Sequence, residues 1–425
     1  MSKQEMLIEK LNAFEASDRL EALRELKKMI DNGEIAAPNT GNDINNHIHT
    51  YYSFSPYSPT KAVWMAYMSG LCTCGIMDHD SINGAEEFIE AGKIIGIPTT
   101  IGLEMRVSFK GTFLEDKRIN NPDQSGVAYM AIHGVPHTAI KKTNEFMAPY
   151  REARNKRNRA MVERINVKAA PAGICLDFDR DVLPLSFAHD GGGVTERHLL
   201  FAFAKAITNK CGKNASVVEL LENNLGMKVS AKQAAQLSDG ENPFYEYDLL
   251  GVLKSDTTFF YMDATDECMP VEKALAFADE IGAISAYAYL GDVGESVTGD
   301  KRAQTFEDSY LDDLFPLISK LGFRAVTYMP SRNTEAQLTR LRALCDKYSL
   351  FQISGEDINS PRQVFICKAL QNPLYHNLID STWALIGHEM AATENVDNAM
   401  FSAKTAAAMP KLADRIIHFG KISKG

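Results

Sequence analysis

Four short apolar segments, each running into a histidine or a carboxylate, constrain this chain more than any other feature. In His47-Ile48-His49-Thr50 the histidines stand at i and i+2. On an extended strand both imidazoles then point to the same side and can reach one cation. The polar, turn-rich Gly41-Asn42-Asp43-Ile44-Asn45-Asn46 precedes them, so that strand emerges directly from a loop. Leu71-Cys72-Thr73-Cys74-Gly75-Ile76-Met77 reads as a buried strand with Asp78-His79-Asp80 at its C-terminal end. Pro98 to Leu103 reads as another, with Glu104 late in it, and Leu350 to Gly355 as a third that ends at Glu356-Asp357. Apolar strands that finish in His, Asp or Glu describe an α/β barrel with its site at the C-terminal rim. Imidazole and carboxylate together suit Zn, Mn or Fe.

That order of motifs, His-x-His, Asp-His-Asp, Gly-x-Glu and Gly-x-Asp, resembles the PHP (polymerase and histidinol phosphatase) family of metal-dependent phosphoesterases over roughly residues 42 to 370. The nearest subgroup acts on nucleoside bisphosphates or short oligonucleotides. Arg151 to Ile165 resembles its arginine-rich helix, and Val194-Thr195-Glu196-Arg197-His198 resembles its Val-Thr-Arg-x-His with the arginine one place later. Leu321 to Val326 and the helix Thr334 to Tyr348 match the penultimate strand and helix. The resemblance implies a distorted (β/α)7 TIM-like barrel (the PHP fold), a helical insertion domain over its mouth, and hydrolysis of a small phosphorylated substrate.

Several family ligand positions are substituted. Phe54 and Ser55 stand where an aspartate or histidine follows His-x-His, Ala131 where a strand histidine belongs, Tyr287 in Ala-His-Pro, and Asn359 in the closing Asp-x-His. His47, His49, Glu104 and Asp357 remain, and the resemblance assigns them to one metal shell. The expectation is therefore one divalent metal per chain. His133, two residues beyond Ala131, either joins a metal or only ends its strand. His79 is free to protonate a leaving alkoxide or to anchor phosphate, with Asp80 orienting it or a ligand; otherwise His79 hydrogen-bonds within its loop. Arg197 and His198, at a helix start that favours anions, are candidates to bind substrate phosphate or else cap the helix.

Composition bounds the rest. The chain has 425 residues, 45% hydrophobic and 24% charged, with a formal net charge of -10. That charge opposes general nucleic-acid binding and anionic membrane surfaces. No apolar run approaches a membrane span, and seven scattered cysteines fit a reduced, cytoplasmic setting. Cys72 and Cys74 share a strand face, where packing competes with metal binding. Residues 1–40 read as an N-terminal helical extension for packing or homodimer contact, and 41–150 with 270–370 as the barrel. Residues 151–269 read as the insertion, and 371–425 as a helical tail. Val364 to Cys367 reads as a short strand, Asp292 to Asp308 as a long polar loop, Gly191-Gly192-Gly193 as a flexible hinge, and Arg151 to Arg159 as a solvated helix face. His376, His388 and His418 read as surface or packing residues. Three functions remain open: a phosphoesterase with a reduced metal site, a degenerate barrel that binds metal or a phosphorylated ligand without catalysis, and hydrolysis of a non-phosphate bond.

Overall fold

The computed structural model describes residues 1–121, 123–292 and 306–424, so most of the polar connection from Asp292 to Asp308 lies outside the described residues. Seven strands form one sheet in the order β1 (Ile44–Ile48), β2 (Thr73–His79), β3 (Thr99–Ser108), β4 (Val127–His133), β6 (Ile284–Ala288), β7 (Ala325–Tyr328) and β8 (Phe351–Ser354). A two-residue β5 (Met269–Pro270) pairs with β3 off this path. The segment after β8 returns to β1: His49 N donates to Ile358 O at 2.9 Å and Ile358 N to His47 O at 3.1 Å. The sheet is thus a nearly closed barrel, as expected from strands that each end in a polar residue.

One strand departs from the parallel pattern. β4 is antiparallel to both β3 and β6. The reason lies in residues 109–126, whose described residues contain no helix. A parallel neighbour needs a crossover of a dozen or more residues, usually helical, whereas a compact loop returns the chain alongside itself. Elsewhere helices supply the crossovers, including Pro59–Met68 and Ala85–Ile95 before β2 and β3, and Glu335–Tyr348 before β8. The last of these starts at a reciprocal cap between Thr334 and Gln337, two orphan amide donors being satisfied at once.

Both termini are used inside the chain. Helix Ala16–Asp31 buries Leu23 and Leu26 completely against the barrel's outer helices, and Leu11, which caps helix Lys3–Lys10, is buried with them. Each such side chain contributes roughly 1.5–3 kcal/mol. The buried Arg19 guanidinium grips Glu87, with Nε donating to Oε1 at 2.8 Å. The tail helix His376–Glu394 covers the barrel's N-terminal end, where Glu389 accepts from Thr100 Oγ1 (2.7 Å), Ile101 N (2.8 Å) and His137 Nε2. His388 is buried, with Nδ1 accepting from Met400 N at 3.0 Å. The expected strand Val364 to Cys367 does not form: Phe365 packs against Tyr57 instead, and its carbonyl accepts from Asn45. Cys74 is buried in β2, and burial pushes its thiol up, as a packing residue requires. Among the described residues no helix is long and apolar enough to cross a membrane.

The insertion has a core of its own, built from residues such as Ile165, Leu199, Phe203, Leu221 and Leu249. It grows from the barrel along one continuous helix, Ile140–Ala169, so the expected boundary at 150/151 falls inside a single element.

Candidate metal centre

Strand register places the candidate ligands. Directly paired residues in adjacent strands put their side chains on the same face. His79 pairs with Glu104, Glu104 with Ala131, Ala131 with Ala286, Ala286 with Ala325, and Ala325 with Phe351. These residues form one rung across the barrel interior. The rung below contains Met77, Gly102, His133 and Ile284. β1 is irregular between Asn45 and Ile48, and His47 within that stretch and His49 just after it reach the same centre.

Five side chains converge there. Glu104 Oε1 lies 3.7 Å from His47 Nε2, 3.5 Å from His49 Nε2 and 3.0 Å from His79 Nδ1. Asp357 Oδ1 lies 3.1 Å from His49 Nε2. Two overlapping triads result, His47–His49–Asp357 and His49–His79–Glu104, each with donor atoms within 4.8 Å of one another. The ring nitrogens facing the centre (Nε2 of His47 and His49, Nδ1 of His79) are buried without an aligned hydrogen-bond partner. Ligands about 2.1 Å from a shared ion stand about 3.0–3.4 Å apart in octahedral or tetrahedral geometry. The donor set and the burial of its ring nitrogens fit a divalent cation, and the 3.0 and 3.1 Å contacts match that spacing.

The electrostatics agree. Burial opposes charge on Glu104, but His79 and His47 outweigh it and hold the carboxyl well below the usual carboxylate range. Burial also opposes charge on Asp357, yet His49, His47 and Arg197 keep it ionised. Both are therefore available as anionic ligands. His79 is shifted down by burial despite Glu104, and so presents a neutral imidazole. His79 thus touches the ligand cluster directly through Glu104. His133 sits one rung deeper, its pKa pushed down to about 3 by burial and by His47, and it belongs to neither triad.

The loops around the ligands are tightly specified. Asp78 Oδ1 accepts from Thr50 N (2.7 Å) and Ser53 Oγ (2.5 Å), while Ser53 Oγ also meets His49 Nδ1 at 3.1 Å. This chain from carboxylate to hydroxyl to imidazole fixes the His49 ring, as an outer-shell partner does. Asn359 Nδ2 donates to Asp357 Oδ1 at 2.5 Å, so the asparagine orients a ligand. Gly355 lies so close to His47 that a Cβ there would meet the His47 backbone nitrogen at 2.7 Å. Tyr287 alternates with the inward Ala286 and packs edge-on against Phe323, so it faces away from the centre. Phe54 is buried in the insertion core, edge-on to His198 at 5.1 Å.

The expected solvated arginine helix is solvated on one face only, with Glu152, Lys156 and Arg159 exposed, and the glycine run is mostly buried. Arg154 and Arg157 are only 2% and 8% exposed. With Arg106 of β3 they surround Glu196, at 2.6, 2.5 and 2.8 Å respectively. Glu267 and Asp80 complete the balance: Arg157 reaches Glu267 at 2.6 Å and Arg154 reaches Asp80 at 2.5 Å. Asp80, at a left-handed φ of 56°, therefore turns to Arg154. Arg151, Arg154 and Arg157 recur every three residues, the spacing of one helix face, and that was the readable signal for this network. Gly191 to Gly193 is no hinge. Gly193 N donates to Tyr52 O at 2.7 Å, and a Cβ on Gly193 would strike the His79 carbonyl at 2.5 Å. Only glycine lets the insertion backbone lie against the site strand.

The two expected phosphate residues separate. Arg197 is half-buried and close enough to Asp357 to help hold it ionised. His198 is buried, and its Nδ1 accepts from Thr195 N at 3.0 Å, capping helix Glu196–Cys211. Burial and Arg154 push its pKa down to about 3, so it is neutral.

No family model matches the chain. A stretch of 65 residues is 35% identical to a 5'-3' exoribonuclease of Haemophilus influenzae; the match covers 15% of this chain and only 24% of that protein's length. A proposed metal-dependent phosphoesterase from Bifidobacterium adolescentis superposes with a TM-score of 0.48 at 19% identity, covering 80% of this chain and 96% of that one. An amidohydrolase from Chromobacterium violaceum, solved with sulfate and no metal, superposes with a TM-score of 0.48 at 17% identity, covering 79% and 96%.

Proposed function

We propose that this chain is a metal-dependent phosphoesterase of the PHP type that hydrolyses a small phosphomonoester or nucleotide, with one divalent cation held by His47, His49, Glu104 and Asp357. The supporting observation is that these side chains fall in two overlapping clusters at the barrel mouth, His47–His49–Asp357 and His49–His79–Glu104, with the facing ring nitrogens buried. A divalent ion there supplies Lewis acidity and an activated water at neutral pH. Ser53 and Asn359 hold the His49 ring and the Asp357 carboxylate in place. Arg197, close enough to Asp357 to act on its charge, would neutralise a phosphoryl oxygen. His79 Nδ1 faces Glu104, so a hydrogen bond that anchors a phosphate oxygen would come from the opposite ring nitrogen, Nε2.

A second reading, a barrel that binds metal or a phosphorylated ligand without turnover, is favoured by the alanines that occupy the rest of the ligand rung. A substrate panel decides between them: p-nitrophenyl phosphate and nucleoside monophosphates beside lactones and amides, with and without chelator. Chelator-sensitive release of phosphate alone supports the proposal. Turnover of lactones or amides moves the reaction class, and no turnover by metal-loaded protein supports the second reading.

A further inference from the structure

The barrel closes where β1 meets the segment after β8, and this seam runs through the metal centre. His47 lies in β1 and His49 just beyond it, whereas Asp357 lies on the other side. His49 Nε2 and Asp357 Oδ1 face each other across the seam at 3.1 Å. The junction is thin: Ile48 and Ile358 form an isolated bridge rather than part of a ladder between two strands. Ligands divided across such a junction keep their spacing only if something else fixes its two sides.

The side chain of Asn45 does so. Asn45 is completely buried, and its amide makes four contacts, all to backbone. Oδ1 accepts from His47 N at 2.9 Å and from Glu356 N at 3.0 Å. Nδ2 donates to Glu356 O at 3.0 Å and to Phe365 O at 3.4 Å. A primary amide has two N–H donors and two acceptor lone pairs, so its capacity is fully used. Two N–H groups at one end and two carbonyls at the other also settle which end is oxygen.

The local sequence explains how the contact arises. Three steps along β1, Asn45 to Ile48, face two along β2, Cys74 to Ile76. An extra residue disrupts the ladder and leaves a backbone group to be satisfied elsewhere. Asparagine side chains readily bond the backbone two residues on, as Asn45 does with His47 N. The same oxygen reaches Glu356 N, 311 residues away in sequence. The Glu356 carboxylate itself turns to Ser331, with Oε2 accepting from Oγ at 2.6 Å. Asn45 thus grips the backbone immediately before the ligand Asp357. Gly355 permits the approach: a Cβ there would stand 2.6 Å from His47 Cβ and 3.1 Å from Asn45 Oδ1.

We infer that Asn45 is the positioning residue of the metal centre, tying the backbone of His47 to that of Glu356 and so setting the spacing between ligands on the two sides of the seam. This rests on the metal centre in the proposed function and not on the reaction carried out there.

The test titrates cobalt(II) into the full-length protein after chelator treatment, followed by the visible absorption that reports coordination geometry. Asn45→Ala removes all four contacts and should weaken binding about 10- to 100-fold, the range for groups that orient metal ligands, with a changed absorption band. Asn45→Asp keeps both acceptor contacts and loses both donors, and should weaken binding about 10-fold. Leu23→Ala, completely buried in helix Ala16–Asp31, is the control for stability alone: it lowers Tm and leaves affinity and band unchanged. A folded Asn45 variant that binds cobalt as tightly as the wild type, with the same band, overturns the inference. Should neither variant fold, the wild type carries the test. The His47 and Glu356 amides share one acceptor atom, so metal should slow their hydrogen exchange by a similar factor, and slowing at one alone overturns the inference. No binding by the wild type fails the metal centre itself and the inference with it. Wild-type binding with unchanged Asn45 variants fails the positioning role alone.

Discussion

On the rung that crosses the barrel mouth, β2 and β3 present His79 and Glu104, whereas β4, β6 and β7 present Ala131, Ala286 and Ala325. The two halves belong to one continuous sheet and differ in what backs them. Behind the ligand half stand Asp78 with its hydroxyl partners and the Arg106–Arg154–Arg157 network around Glu196. The alanine half adjoins a small apolar cluster that includes Met77, Ile284, Phe351 and Ile353, packed under the tail helices. Rigid polar support accompanies ligands, and close packing accompanies their absence. One half of the rung is thus backed by polar groups and the other by apolar core.

The comparison can be attacked from either side. The largest expected stability effect lies behind the ligand half. Glu196→Ala leaves three buried arginines facing two carboxylates, and should cost about 3–5 kcal/mol in urea unfolding. A cost below 1 kcal/mol would show that the network is solvated and supports nothing. On the other half, Ala131→His asks whether core or latent site lies beside Glu104. Because Ala131 is 1% exposed, overpacking should cost about 1–3 kcal/mol without adding an ion. A stable variant that binds a second metal would break the distinction between the halves.

Smaller effects sharpen it. Asn359→Ala frees the Asp357 carboxylate from its orienting donor, and should weaken metal affinity about tenfold by competition with a chelating dye. The smallest is a pH effect. In the ion-free protein, burial disfavours His47 protonation, but Glu104 and Asp357 outweigh it and raise its pKa above 6.5. Its contribution to ion-free stability is present below the unfolded value and is lost as pH rises through the folded one. Metal binding needs the neutral ring, so the gap in Tm between metal-loaded and chelated protein should widen from pH 6 to pH 8. A gap that narrows would remove His47 from the shell.

Much of the ligand half is legible in sequence, because strand alternation carries it. His-x-His, the end of β2 and Glu104 in β3 each announce both a strand and the face of its last residues. Asp357 is less direct, since β8 stops at Ser354 and the ligand sits in the following loop. The antiparallel β4 is not legible in the ligand motifs, since strand alternation is indifferent to strand direction. The buried arginines are masked by their neighbours: Arg151 to Arg159 is polar in every direction, and only partners far along the chain, Glu196 and Glu267, draw one face inward. The glycine run misleads for a similar reason. Conformational freedom and close approach leave the same residue type, and only the tertiary contact with His79 separates them.

The central claim is one divalent cation on His47, His49, Glu104 and Asp357. The most direct test is metal per chain by mass spectrometry on protein purified without chelator, beside a Glu104→Ala control. The account predicts about one Zn, Mn or Fe ion in the wild type and its loss in the control. Two or three tightly bound ions, or none after resupply, would contradict it.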